Sequence, residues 1–159
     1  MSLAIYLICN IVVFAFIISN AVSYSESSGH KYGKRLNKKI STIVFASRST
    51  DKTIEFNSKG KKFCIRVANA EVPPGLTYDT IPVYTCRDVY INDELVCKVH
   101  KLERLFSKVY LAEFSSGRNE IEIEALINVA YKTAKQLNKE YWNNWHEKQD
   151  AVKSFYKDK

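Results

Sequence analysis

The chain of 159 residues has few of the residues that bend or cross-link a polypeptide: five Gly, three Pro and four Cys. Such low Gly and Pro contents exclude a collagen-like or low-complexity chain. No segment repeats at a fixed period, which excludes a solenoid. Acidic and basic residues are absent from residues 1–23, so all the formal charge lies in the remaining residues, about 135 of them. With 46% apolar and 26% charged residues in the whole chain, this remainder is expected to form one packed domain.

The uncharged N-terminal segment predicts a signal peptide over residues 1–21. Residues 3–18 are almost continuously apolar, and small residues follow at the two positions, Ser19 and Ala21, that a signal peptidase recognises. We expect cleavage after Ala21, with Ser23 as a second candidate, and hence secretion of the chain. The alternative is an uncleaved membrane anchor, although about 16 apolar residues are fewer than the ~20 that cross a bilayer.

Residues 22–39 are polar and basic, which predicts a flexible lead-in to a single domain over residues 40–159. Lys34 and Arg35 form a dibasic pair of the kind that proteases of the secretory pathway cut. A pro-segment that ends near Arg35 is therefore an alternative interpretation of the same residues.

Cleavage of the signal peptide would remove Cys9 and leave Cys64, Cys86 and Cys97, an odd number. In a secreted chain we expect one disulfide and one free thiol, with the pairing left open. The remaining thiol is a candidate for linking two chains. The cysteine spacings match no zinc motif, and we expect neither a metal nor another cofactor.

The apolar pattern predicts an α+β domain in which a small antiparallel sheet packs against two helices. Strands are expected at 40–46, 53–56, 63–67, 81–91 and 108–114. A long amphipathic helix is expected over about 123–156, because apolar residues recur there at helical spacing and glutamates precede them. We expect the aromatic residues of this helix to pack mainly on the sheet, and a partner-binding patch is the alternative. These residues are Tyr141, Trp142, Trp145, Phe155 and Tyr156.

Two structures compete for residues 93–107. A hairpin would use Asn92 and Asp93 as its turn. A helix would place Leu95, Val99, Leu102 and Phe106 on one stripe, with basic residues largely opposite. The four matches to helical spacing favour a central helix.

Basic residues are concentrated near the N-terminus. Between His30 and Lys62 there are ten Lys and Arg residues and only two acids, within a chain of net charge +7. Such a stretch is typical of polyanion binding, because neutralising phosphates dominates that affinity. The alternative is a solvated surface that keeps the protein soluble. The predicted polyanion-binding residues are Lys34, Arg35, Lys38, Lys39, Lys59, Lys61 and Lys62.

No set of residues arranged for catalysis is visible. The chain has no Gly-rich phosphate loop and no nucleophile motif, and its three histidines share no pattern. Glu94 with His100 or His146 is the nearest approach to an acid and base pair, but an acid and a base must converge on one substrate. We therefore predict no catalytic residues.

Around Tyr84-Thr85-Cys86 the chain resembles the candidate secreted effectors of powdery mildew fungi, in which a Tyr-x-Cys precedes an amphipathic helix. The resemblance covers residues 83–106 (VYTCRDVYINDELVCKVHKLERLF). It implies a fungal virulence protein with a ribonuclease-like fold that lacks catalytic residues. Together with the basic stretch, it favours a secreted, non-enzymatic protein that binds a host protein or RNA, extracellularly or after delivery into host cells. A secreted ribonuclease-like hydrolase and a membrane-anchored protein are the alternatives.

Overall fold

The computed structural model describes residues 28–50, 53–78, 81–104 and 107–157. The expected signal peptide lies outside these described residues. Within them, the predicted α+β class is confirmed, since two helices pack against a six-stranded antiparallel sheet. In chain order the elements are α1 (Ser28–Thr50), β1 (Ile54–Ser58), β2 (Lys61–Ala70), β3 (Thr77–Tyr78), β4 (Ile81–Ile91), β5 (Glu94–Arg104), β6 (Ser107–Phe114) and α2 (Glu120–Lys157).

The strands form a meander in the order β1-β2-β4-β5-β6, and the short β3 pairs with the start of β4. Because successive side chains of a strand point to opposite sides, the register divides the sheet into two faces. We call the side that carries Ile65, Val89 and Val99 the helix face, since these residues join both helices in the main core. We call the side that carries Cys86, His100 and Leu102 the far face.

The segment expected to be a flexible lead-in and a first strand is one helix, α1, from Ser28 onwards, which corrects both predictions. Leu36, Ile40, Ile43 and Ala46 are buried at spacings of three and four residues. This is the pattern of a helix that buries one stripe. The β-branched residues of 40–46 favoured a strand locally, but burial of the whole stripe against the sheet and α2 outweighs that weak preference.

The described part of residues 93–107 does not form the expected central helix, and the hairpin alternative is correct. Phe106 of the predicted stripe lies outside the described residues. Asn92 and Asp93 adopt positive φ angles of 50° and 63°, as a two-residue hairpin turn requires, and β5 follows at once. Val96, Cys97, Val99, His100 and Leu102 are all buried. A strand covered on both faces loses the alternation of apolar and polar residues, which explains why this sequence has apolar residues at helical spacing.

A strap of residues 71–78 covers one end of the far face. Its Pro73-Pro74-Gly75 turn closes with a hydrogen bond from Leu76 N to Pro73 O, and Gly75 has a φ of 77°. Val72, Leu76 and Tyr78 pack on a second, smaller core of Ile81, Val83, Leu102 and Val109. The sheet is therefore covered by helices on one face and by this strap on part of the other.

The long C-terminal helix is confirmed as α2. Asn119 caps its start, where its side-chain oxygen accepts hydrogen bonds from the backbone of Ile121 at 3.0 Å and Glu122 at 3.3 Å. The first part of the helix packs through Ile123, Ile127 and further residues of the main core. The expected packing of its aromatic residues on the sheet is wrong, because the helix continues past the sheet and these side chains are 39% to 72% exposed.

Candidate polyanion-binding site

Two adjoining cavities lie between α1 and the edge of the sheet formed by β4, β5 and β6. The outer one, of about 750 Å³, is lined mainly by α1. The inner one, of about 340 Å³, reaches down to the helix face of the sheet. Asn37, Ser41 and Tyr110 line both, so we treat them as one groove, the cationic cleft. Its basic residues are Lys34, Arg35, Lys38, Arg87, Lys101 and Lys108.

Strand pairing collects the basic residues at the floor of the cleft. Arg87 pairs across the sheet with Val99, and Lys101 pairs with Thr85 on one side and with Tyr110 on the other. Cross-strand partners point to the same face, so these side chains converge beneath α1. The basic residues Arg87, Lys101 and Lys108 come from three different strands, and none of them was predicted as a binding residue.

Close contact between α1 and β6 positions the wall of the cleft. A Cβ atom built on Gly33 would lie 2.0 Å from the carbonyl oxygen of Tyr110. Only glycine allows the helix backbone to come this close to the strand. The next turns of α1 then place Lys34, Asn37 and Lys38 over Tyr110.

Arg87 is the half-buried cation of the cleft floor. Its Nη1 donates a hydrogen bond of 2.9 Å to Ser41 Oγ on α1. Within the described part of the chain, no carboxylate forms an ion pair with this guanidinium. A guanidinium has five N–H donors in a rigid fork, and burying its charge without a negative partner is unfavourable. The guanidinium of Arg87 can therefore bind an anion from solution.

Of the other five cations of the cleft, only Lys101 has a carboxylate partner among the described residues. Lys101 forms an ion pair of 3.0 Å with Glu103, and its Nζ lies 4.6 Å from the centre of the Tyr84 ring. Among the described residues, Lys34, Arg35, Lys38 and Lys108 form no ion pair, and no acidic residue lines either cavity. The positive potential of these groups therefore adds up within one groove.

The structure distributes the seven predicted binding residues over three surfaces. Lys34, Arg35 and Lys38 line the cationic cleft. Lys39 faces α2 instead, where it contacts Glu124 at 3.9 Å and Asn128. The remaining three lie on the hairpin between β1 and β2: Lys59 and Lys61, which line a separate cavity beside α2, and Lys62, which pairs with Glu55 at 2.7 Å. The basic stretch is continuous in sequence but not on the surface.

The far face carries a separate polar cluster. His100 Nε2 and the Tyr78 hydroxyl both lie 3.0 Å from the same oxygen of Glu113, Oε2. Since a carboxylate only accepts, Nε2 carries a proton and donates it, as does Tyr78. Hydrogen bonds from His100 and Tyr78 hold the pKa of Glu113 below its ordinary value of 4.5. Burial, together with the Glu113 contact, raises the pKa of Tyr78.

This cluster ties the strap to the sheet. His100 is buried, and its Nδ1 has no hydrogen-bond partner among the described residues. Cys86 lies opposite His100 in the register, but burial and the nearby Asp88 carboxylate raise the pKa of its thiol, which disfavours the nucleophilic thiolate. The cluster thus connects Tyr78 of the strap to Glu113 of β6, and we call this connection the latch.

The acid and base pair considered for a ribonuclease-like hydrolase is not assembled. Glu94 lies at the exposed start of β5 and pairs with Arg118. His100 pairs with Glu113 on the far face, and His146 lies on the distal part of α2 beside Trp145. Glu94 therefore has neither histidine as its partner.

The expected disulfide is not formed. Cys64, Cys86 and Cys97 are free thiols. Cys97 lies opposite Val89 on the helix face, whereas Cys86 lies opposite His100 on the far face. Cys64 is six residues along β2 from Ala70, the partner of Cys86, which corresponds to about 20 Å of strand. Cys64 and Cys97 are also kept apart, because β4 lies between their strands β2 and β5. These separations exceed what a disulfide can bridge. Burial also raises the pKa of Cys97 to about 12.

Comparison with protein-family models, with curated proteins and with solved structures finds no match to this chain. In the described part of the chain, neither helix contains a stretch long and apolar enough to cross a membrane. Among the same residues, no group of three or more His, Cys, Asp and Glu side chains is arranged to hold a metal ion.

Proposed function

We propose that this chain is a secreted, non-enzymatic binding protein and that its ligand is RNA, held as a polyanion in the cationic cleft. The observation that carries the proposal is the guanidinium of Arg87, half-buried at the cleft floor and bonded only to Ser41 among the described residues. Phosphate oxygens match the fork of such a guanidinium in geometry and charge. The composition of residues 1–23 supports secretion.

Five further cations in the same groove support a ligand with several negative charges rather than a single anion. Each phosphate that a lysine or arginine neutralises releases counterions, which makes binding favourable at low salt. Tyr84 is 60% exposed beside Lys101 and offers a ring on which an unpaired base could stack. Single-stranded RNA combines both features, whereas an anionic polysaccharide has no base to stack.

The test is a titration of fluorescently labelled single-stranded RNA with the purified chain, read as fluorescence anisotropy at several salt concentrations. We expect the logarithm of the association constant to fall linearly with the logarithm of the salt concentration, with a slope of about 0.7 for each phosphate neutralised. The double variant Lys34→Ala/Lys38→Ala should bind at least tenfold more weakly and lose about 1.4 from that slope. The single variant Arg87→Ala should also bind RNA more weakly than the original chain at every salt concentration.

The matched control is Lys59→Ala/Lys61→Ala, which removes the same charge from the hairpin between β1 and β2. We expect this variant to bind RNA nearly as well as the original chain. Equal losses in the two double variants would show that net charge, not the cleft, attracts RNA. A chain that binds no RNA even at low salt would overturn the proposed function.

A further inference from the structure

The C-terminal part of α2 extends beyond the end of α1 and carries an aromatic face. The ring of Trp142 stacks on that of Phe45 of α1, with 6.0 Å between the ring centres. Among the described residues, the ring contacts of Trp145 and Tyr156 are with other residues of α2. A helix of about 15 residues is only marginally stable alone in water, so a partner would stabilise this segment. We call its exposed face the aromatic end: Trp142, Trp145, Val152, Phe155 and Tyr156.

The aromatic end continues a seam that the molecule already uses. Asn138 Nδ2 donates a hydrogen bond of 3.2 Å to Thr42 O, and Tyr141 contacts Phe45 at 6.1 Å, so this stripe of α2 packs on α1. Beyond the end of α1 at Thr50, the same stripe continues at alternating intervals of three and four residues. Its members are Asn138, Tyr141, Trp145, Lys148, Val152 and Phe155. A heptad of this kind is typical of a helix that packs along a second helix.

The charges of this segment favour a second copy of the chain over an anionic membrane surface. Three lysines and three acids cancel between Asn138 and Tyr156, in a chain whose net charge is +7. A neutral segment is not drawn to anionic lipid, whereas amphipathic helices that bind membranes have a cationic polar face. Two copies can meet at this neutral end without the repulsion that their basic ends would create.

The positions that flank the stripe are also uncharged. They hold Trp142, Asn144, Gln149, Ala151 and Tyr156, and the only charge on this face is Lys148. In a parallel pair, Lys148 would meet its own copy at the seam. In an antiparallel pair it lies opposite apolar residues, which its aliphatic stem can cover while the amine reaches solvent. Antiparallel packing also keeps the two cationic domains at opposite ends.

The area is sufficient for a weak dimer. The five side chains of the aromatic end are 42% to 72% exposed. If each offers about 200 Å² in total and half of that is exposed, one copy contributes on the order of 500 Å². The pair then buries about 1,000 Å², which is the lower limit for a specific interface.

We infer that the aromatic end is a self-association surface through which two copies of this chain pair as an antiparallel helical dimer. The dimer presents two cationic clefts, one at each end. Because the interface is small, a dissociation constant on the order of 1–100 μM is expected.

Sedimentation and light scattering of the purified chain, with reducing agent present, test this inference. We expect the mass to rise from monomer to dimer across that concentration range. The double variant Trp145→Glu/Val152→Glu should remain monomeric at every concentration. The matched control Asn143→Glu/Ser154→Glu adds the same charge on other sides of the helix and should dimerise like the original chain. Circular dichroism establishes that both variants fold.

Three outcomes would overturn the inference. The first is a chain that stays monomeric throughout the range. The second is a dimer that persists in Trp145→Glu/Val152→Glu or disappears on reduction, since its contact would then lie elsewhere or be a disulfide. The third is a monomer that binds phosphatidylserine vesicles through Trp145 and Val152, which would assign the face to lipid.

Discussion

At the scale of single residues, Gly33 decides where α1 lies. Its backbone approaches Tyr110 so closely that a Cβ would fall 2.0 Å from the carbonyl oxygen, well inside van der Waals contact. Glycine inside a helix usually weakens it relative to alanine. Here the glycine is needed because it lets α1 rest directly on β6 and places the basic residues over the cleft floor.

Gly33→Ala should therefore destabilise the protein. Helix propensity alone predicts that the free energy of unfolding rises by about 0.5–1 kcal/mol in the variant. The overlap with Tyr110 predicts instead that the free energy of unfolding falls by about 1–3 kcal/mol, because α1 must move away from β6. The free energy of unfolding in urea decides between the two signs. A more stable variant would show that the helix and strand are not in close contact.

Glu113 should make stability depend on acidity. Its pKa is lowered by hydrogen bonds from His100 and Tyr78, so the folded protein binds the proton of Glu113 more weakly than the unfolded chain does. The contribution of Glu113 to stability is then complete above pH about 4.5 and is lost as the pH falls through the lowered pKa. It should be less than about 1 kcal/mol, because the side chain is 60% exposed and water screens it.

Glu113→Gln removes this contribution and provides the measurement. The original chain should be more stable than the variant at pH 7, and the difference should shrink at pH 3. Glu103→Gln, which changes an exposed carboxyl on the neighbouring strand, serves as the control. An unchanged difference between the two pH values would mean that the latch does not depend on the ionised Glu113.

At the scale of elements, β4, β5 and the turn between them show how burial overrides a local pattern. Leu95, Val99 and Leu102 have helical spacing, but this segment becomes a strand because the chain reverses at Asn92 and Asp93. The backbone of Cys64 donates a hydrogen bond of 2.9 Å to Asn92 Oδ1, and Asn92 N donates one of 3.0 Å to Cys64 O. The turn is thus attached to β2 as well as to the two strands that it joins.

Asp93→Gly should stabilise the protein by up to about 1 kcal/mol. Asp93 has a φ of 63°, a conformation that costs an ordinary residue about 1–2 kcal/mol and costs glycine almost nothing. In a helix the same substitution would lower stability, so the sign of the change distinguishes the hairpin from a helix. The midpoint of urea unfolding measures it. Asp93→Val, which is strained at positive φ, is the opposing control and should be destabilised.

At the scale of the whole molecule, the basic and aromatic residues separate to different parts of the surface. The cationic cleft lies between α1 and the strands β4 to β6, and the aromatic end lies on the last turns of α2. The two helices run in the same direction, since Lys39 contacts Glu124 and Phe45 contacts Tyr141. Because α2 is longer than α1, its last turns extend past the end of α1. A pair of chains joined there could bind one RNA at two sites, which would raise the overall affinity without any new contact.

Several features of this protein could be predicted from its sequence because they depend on neighbouring residues. The α2 helix is an example: its apolar stripe, its acidic first turn and Asn119 all lie within one segment. The strands β1 and β2 could be predicted for the same reason, because each of the expected strands at 53–56 and 63–67 depends on one short segment. The α+β class followed from these elements.

Other features were decided only by the tertiary structure. The helix α1 replaced an expected lead-in and strand, because Leu36 and Ile40 gain more from burial against the sheet than the local preferences of their neighbours cost. The strand β5 lost its alternation because both its faces are covered. The cleft joins Lys34 and Lys38 with Arg87, Lys101 and Lys108, which are far apart in sequence. The sequence by itself determined how many cations the protein carries; strand register and helix packing decided which of them meet, because only folding brings distant residues to one surface.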